Sequence, residues 1–247
     1  MKPKITIIVA TFNSEKTLEE SLNSVLKQTY SNWECLIIDG LSKDNTCIIA
    51  EEYKQQDSRF RYISEEDKGI YDAMNKGVAL AKGEWIYILG SDDNLLPNGL
   101  ESFVKHMENT DLIYGNFVGL YPSGNTYNGV SLPLSKMPKV MPASHQAMIM
   151  RKSLIEECGG FDLSFRSRAD NNLVVKAFVN GYRFKRIEAY IAQVRLDGFS
   201  STRWDTIDQI YRILKNNKAT SYPYLWALYY GTRWYIAKKI LDRFRNK

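Results

Sequence analysis

Ile5-Thr-Ile-Ile-Val-Ala10, followed by Thr11-Phe-Asn13 and then by Leu18, Leu22, Val25 and Leu26 at helical spacing, is the stretch that decides the fold. A β-branched run of this length suits a buried strand, and the apolar positions after it recur with the period of an α-helix. Asn13 or Ser14 stands where a helix cap is expected. The unit then repeats. Glu34-Cys-Leu-Ile-Ile38 leads through Asp39-Gly40 to a helix from about Thr46, Phe60 to Ile63 leads to a helix from about Tyr71 to Ala81, and Trp85 to Leu89 makes a fourth strand. Strand and helix alternating in short units imply right-handed crossovers, so the chain reads as an α/β protein with a mostly parallel sheet flanked by helices on both faces.

The 247 residues suffice for one such domain with a helical appendage, and a composition 44% hydrophobic and 25% charged is that of a globular protein. Apolar runs such as Ile5 to Ala10 are far too short to span a bilayer, and the first residues lack a signal-type apolar region, so the sequence reads as neither spanning nor exported. Cys35, Cys47 and Cys158 are an odd number without metal-type spacing and read as reduced thiols, with the cytoplasm as the expected compartment. The net charge of +5 is unevenly placed: residues 201 to 247 carry +7, which leaves −2 for the rest. A nucleic-acid binder would spread its basic residues over a face of the main domain, so no nucleic-acid partner is expected.

Polar clusters fall at one place relative to the strands. Thr11 and Asn13 follow the first, Asp39 the second, Ser64 to Asp67 the third and Ser91-Asp92-Asp93 the fourth, and ligands bind at that carboxyl edge of an open α/β sheet. Acidic side chains at successive strand ends repel one another unless a cation or a donor-rich ligand lies among them. Neither a G-x-G-x-x-G nor a P-loop motif is present, whereas Asp92-Asp93 supplies hard oxygen ligands suited to Mn²⁺ or Mg²⁺ bridging to phosphates.

Six blocks in order, Val9-Ala-Thr-Phe-Asn13, Ser24-Val-Leu-Lys-Gln-Thr-Tyr30, Ile37-Ile-Asp-Gly40, Lys43-Asp-Asn-Thr46, Asp67-Lys-Gly-Ile-Tyr-Asp-Ala-Met-Asn-Lys-Gly77 and Gly90-Ser-Asp-Asp93, resemble the family 2 glycosyltransferases of Rossmann-like GT-A fold. The Asp67 to Gly77 segment looks most like the branch that builds bacterial polysaccharides and lipopolysaccharide. The resemblance implies an inverting enzyme using a nucleotide-sugar donor, with UDP-sugar expected. Position by position it implies that Thr11 and Asn13 lie against the nucleotide, Asp39 hydrogen-bonds uracil, Asp67 borders the base and Lys76 contacts base or phosphate. It also implies that Asp92 lies near ribose or sugar and Asp93 on the divalent ion. The plain alternatives are a turn and helix cap for Thr11 and Asn13, a strand-end turn aspartate for Asp39 and a solvated helix surface for Lys76, and the surrounding motif favours function at the first three. Leu41 departs from the small or polar residue usual after Asp-Gly, and Ser91 replaces the first acid of a spaced D-x-D.

Ser144-His-Gln-Ala147, Gly159-Gly-Phe-Asp162 and Arg168-Ala-Asp-Asn-Asn172 resemble later blocks of the same family. They make Asp170 the expected general base for in-line displacement, with a helix N-cap as its alternative. His145 invites a catalytic reading, with a structural or acceptor-loop role at least as well supported because an inverting mechanism needs only one base. Asp197-Gly-Phe-Ser-Ser201 resembles a segment near the donor diphosphate.

These readings divide the chain into a GT-A catalytic domain, 1–204, with a nucleotide-sugar half (1–100) and an acceptor half (101–204), and a helical extension, 205–247. In the extension, 222–247 is aromatic first and basic after, with six positive charges and one negative over residues 233 to 247. That pattern suits the headgroup region of an anionic membrane, where a lipid-linked acceptor would be met, or packing on the catalytic domain or on a second copy in a homodimer. The expected reaction moves one sugar to a hydroxyl of a bacterial surface glycan or lipid-linked acceptor. Processive relatives carry transmembrane helices and a Q-x-x-R-W signature, neither of which is seen, and a sugar nucleotidyltransferase would need a Gly-rich loop absent between Ala10 and Ser14. A non-catalytic nucleotide-sugar-binding scaffold is the alternative from another class.

Overall fold

Seven consecutive buried residues form β1 (Ile5–Thr11), and seven more form β2 (Trp33–Asp39). The computed structural model of the chain describes residues 3–196 and 203–245. β3 (Phe60–Ser64), β2, β1 and β4 (Trp85–Gly90) lie side by side and parallel, joined by α1 (Leu18–Leu26), α2 (Thr46–Gln56) and α3 (Ile70–Leu80). Continuous apolar strands are explained by burial on both faces, since alternate side chains point to opposite sides. Ile8, Leu36, Ile38, Ile86 and Ile88 face α3, while Ile7, Val9, Cys35, Ile37 and Tyr87 face α1 and α2.

The second half extends the same sheet but mixes direction. β6 (Leu112–Leu120) and β9 (Phe184–Arg195) run parallel to each other, and β8 (Met148–Arg151) lies antiparallel between β4 and β6. Two short strands complete it: β5 (Asn94–Leu95) on β9, and β7 (Thr126–Gly129), which folds back on β6. The order is β3-β2-β1-β4-β8-β6-β9-β5. α4 (Gly99–Val104), α5 (Lys152–Glu157) and α6 (Ala169–Val179) cover this half.

One local expectation is corrected. α1 begins at Leu18 after Thr17, with no side-chain cap bond, so neither Asn13 nor Ser14 caps it. Ser14 contributes its carbonyl to Thr17 and Leu18, while its amide goes to Thr46 Oγ1 and its hydroxyl to Ser91. These side chains are drawn sideways to neighbouring strand ends because several loops crowd that edge.

α7 (Arg203–Asn216) shares the main core: Ile213 is buried with Leu173 and Val174 of α6, and Gln209 exchanges hydrogen bonds with Ser167 at 3.2 Å. α8 (Pro223–Arg245) packs on α7 through Ala227 and through Gly231, whose backbone lies against Ile207. Leu225, Tyr229 and Ile236 recur on its outer, exposed side. Among the described residues no helix is long and apolar enough to cross a membrane.

Candidate functional site

The carboxyl ends of β1 to β4 share one edge, and the loops leaving them are tied together. Asp39, fully buried, accepts from Ser42 N (3.0 Å), Ser64 Oγ (2.7 Å) and Cys47 Sγ (3.4 Å) and from the Ser42 hydroxyl. Asn13, in the left-handed region at φ 49°, donates its amide to Ser42 Oγ and accepts from Lys43 N at 2.9 Å. The buried Thr11 hydroxyl has no hydrogen-bond partner, although the Thr11 carbonyl holds Gly40 N at 3.0 Å. Asp67 accepts from Gly69 N at 2.8 Å, and its other oxygen lies over Gly40 so closely that a Cβ there would stand 2.5 Å away. Lys76 is directed into the acidic loop, with Glu65 at 3.2 Å, Asp72 at 3.7 Å and the Glu66 carbonyl. In this structure Lys76 ties down its own strand-end loop.

Asp39 and Asp93 draw hydrogen-bond donors from the chain itself, which offset part of the repulsion among the clustered acids.

Asp93, 2% exposed, accepts from Arg195 N at 2.8 Å and from Gln146 Nε2 at 2.7 Å, while Arg195 Nε donates to the Asp92 carbonyl at 3.0 Å. Both carboxylates converge on Gly90: a Cβ there would meet Asp93 Oδ2 at 2.4 Å and Asp92 Oδ1 at 3.0 Å. Burial first, and the Asp92 charge second, push the Asp93 carboxyl up to about 6 against the pull of its two donors. Two converging hard oxygens under mutual repulsion fit an Mg²⁺ or Mn²⁺ that takes its remaining ligands from phosphate and water. Among the described residues no group of three or more His, Cys, Asp or Glu gathers at ligand spacing, so a protein-only cage is not formed.

Asp170 lies in the first turn of α6. The residue before this helix, Arg168, makes no side-chain cap bond, and Asp170 is not its N-cap, which corrects that alternative. Its Oδ1 accepts from the Tyr71 hydroxyl at 3.2 Å, and its Oδ2 lies 3.4 Å from His145 Nδ1. Burial raises the Asp170 carboxyl, yet His145, a backbone amide and Arg168 outweigh it and hold the group below the usual carboxylate range. Burial likewise depresses the His145 imidazole, and Asp170, Asp93 and Asp92 outweigh it, so the ring is held above its ordinary value.

His145 and Gln146 are consecutive in the 3₁₀ turn His145–Ala147, the first facing Asp170 and the second Asp93. One two-residue bridge thus brings the pair at the end of β4 beside the carboxylate of α6. Gln146, Arg195 and Tyr71 were not legible as site residues; only the Ser144 to Ala147 block and the Asp67 to Gly77 segment marked their neighbourhood. Phe12, between Thr11 and Asn13, stands 60% exposed at the same edge. Asp197 to Ser201 lies outside the described residues.

This fold, with carboxylates gathered at the carboxyl edge of the sheet, is that of a GT-A enzyme. The chain belongs to glycosyl transferase family 2, whose profile matches residues 6–171. It is a glycosyltransferase, 32% identical over 183 residues to the PGL/p-HBAD biosynthesis glycosyltransferase of Mycobacterium bovis, covering 72% of this chain and 71% of that one. Glycosyltransferase GlyG of Streptococcus pneumoniae is 36% identical over 131 residues, 51% of this chain and 44% of its own. Among solved structures, S. aureus TarS 1-349 in complex with UDP-GlcNAc matches with a TM-score of 0.69 at 21% identity, over 87% of this chain and 65% of that one. Mannosyltransferase PcManGT from Pyrobaculum calidifontis, in complex with GDP-Man and Mn²⁺, matches at 0.67 and 18%, over 94% and 74%. These two likenesses are of fold.

Proposed function

We propose that the chain transfers one sugar, with inversion, from a nucleotide-sugar donor of the UDP-sugar class to a hydroxyl of a bacterial surface glycan or lipid-linked acceptor. The observation that carries this reading is the two-residue bridge, which brings a carboxylate suited to take a proton next to a carboxylate pair suited to a diphosphate-bound cation.

In this reading Thr11, Asn13, Asp39 and Asp67 line the nucleoside, with the exposed Phe12 ring available to stack on the base and Lys76 holding the Glu65–Glu66 loop beside it. Asp93, with Asp92 converging beside it, would hold Mn²⁺ or Mg²⁺, which would neutralise charge developing on the leaving diphosphate. Asp170 accepts the proton of the attacking hydroxyl, and its pKa, held below the usual carboxylate range, keeps it ionised at neutral pH. The exposed apolar stripe of α8 and the basic residues of 233 to 247 support a peripheral contact with the cytoplasmic face of an anionic membrane.

Calorimetric titration of UDP with Mn²⁺, with chelator, and on Asp92→Asn and Asp93→Asn variants tests the donor site. Nucleotide release from a panel of UDP- and GDP-sugars then tests turnover. Metal-dependent UDP binding lost in the variants is expected; the absence of nucleotide binding under every condition overturns the reading.

A further inference from the structure

We propose that Tyr71 and His145 are positioning residues for Asp170, so that the Asp67 to Gly77 segment serves the base as well as the donor. The proposal rests on reading Asp170 as the general base. A carboxylate that removes a proton must keep one lone pair aimed at the acceptor hydroxyl, and an aspartate with no partners rotates about both side-chain bonds. Here the Tyr71 hydroxyl donates to Oδ1 at 3.2 Å, His145 Nδ1 stands 3.4 Å from Oδ2 as its ion-pair partner, and the Asn171 backbone amide adds a further donor. Three partners leave one of the carboxylate's roughly four acceptor positions for the substrate.

Both side chains are themselves held. The Tyr71 ring stacks on Phe161, centroids 6.0 Å apart and 16° from parallel. Asn75, one turn further along α3, clamps the Phe161 backbone from both sides at 2.8 Å. His145 is carried by the turn whose next residue, Gln146, is fixed to Asp93 and to the Ser144 hydroxyl. Two separate elements thus converge on one carboxylate of α6, each with its own anchor, and the geometry of the base is set from both halves of the molecule.

A purely structural link between the halves would change stability and leave the chemical step alone, which separates the two roles. The assay is nucleotide release from the donor that the wild type turns over fastest. Tyr71→Phe keeps the ring and loses the hydroxyl; kcat is expected to fall about tenfold, with donor KM and UDP affinity within about twofold of wild type. His145→Ala is expected to behave alike, and His145→Asn, which returns an N–H at the same distance from the backbone, to recover most of the loss. Wild-type kcat in both Tyr71→Phe and His145→Ala, or a His145→Asn as slow as His145→Ala, overturns the proposal.

Asp170→Asn separates this proposal from the reading beneath it. Turnover retained in that variant removes the base assignment and the proposal together. Turnover lost there, by the roughly 10²–10⁴-fold typical of a missing base, with Tyr71→Phe and His145→Ala both at wild-type kcat, removes only the positioning role. A wild type that releases nucleotide from no donor overturns both.

Discussion

Gly40 lacks a side chain because Asp67 occupies the space one would fill, and the two residues meet only when β2 and the loop after β3 are brought together. Gly40→Ala is expected to displace that loop, costing about 1–3 kcal/mol of stability, as overpacking does, and weakening UDP about tenfold; a melt and a UDP titration on the same preparation check it. Asp93 makes a pH prediction. A buried carboxyl raised to about 6 from its ordinary 3.8 stabilises the fold while protonated, so this contribution is complete below about pH 4 and is lost as pH climbs through 6. The metal-free protein should therefore lose on the order of 3 kcal/mol across that window relative to Asp93→Asn, read from urea midpoints at closely spaced pH values, and added Mn²⁺ should restore part of it. At this scale residue types were legible and partners were not. Asp39, Asp93 and Asp170 stood out as acids at loop starts, yet Tyr71 is 99 positions from Asp170 and Arg195 is 102 from Asp93, separations that no local pattern reports.

At the level of elements, α7 is tied to the strands and helices before it. Its Ile213 is buried in the core that α6 also lines, and Gln209 and Asn217 bond to Ser167 and Asn172. Ile213→Ala should cost about 2–4 kcal/mol, as buried large-to-small changes do, with a single unfolding transition retained in urea. A chain ending at residue 221, without α8, should fold cooperatively, whereas one ending at 202 should lose a large part of its stability; two separate transitions in the full chain would instead make the C-terminal helices an independent unit. β1 to β4 and α1 to α3 were readable because each has the period of its own secondary structure, although the start of α1 lies at Leu18, past the cap the sequence suggested. The mixed directions of β6 to β9 were not, because strand direction depends on which strands become neighbours.

Across the whole molecule, one edge of the sheet carries the chemistry while α8 presents Leu225, Tyr229 and Ile236 outward and continues into a basic stretch. The full chain is expected to float with anionic vesicles at low salt and to be released as salt rises. Deletion of 222–247 should abolish that, and unchanged flotation after deletion would rule out this segment as the contact.

By itself the sequence determined the strand–helix units, the edge at which the acidic loops gather and the family, because each is written in local periodicity or in contiguous blocks. Only the tertiary structure decided that His145 and Gln146 join Asp170 to Asp93, that Tyr71 reaches across to the same carboxylate, and that Asp39 and Asp93 are already supplied with donors. Hydrogen bonds between residues so far apart in the chain exist only once the sheet has set its strands in order, and that order is a property of the packed whole.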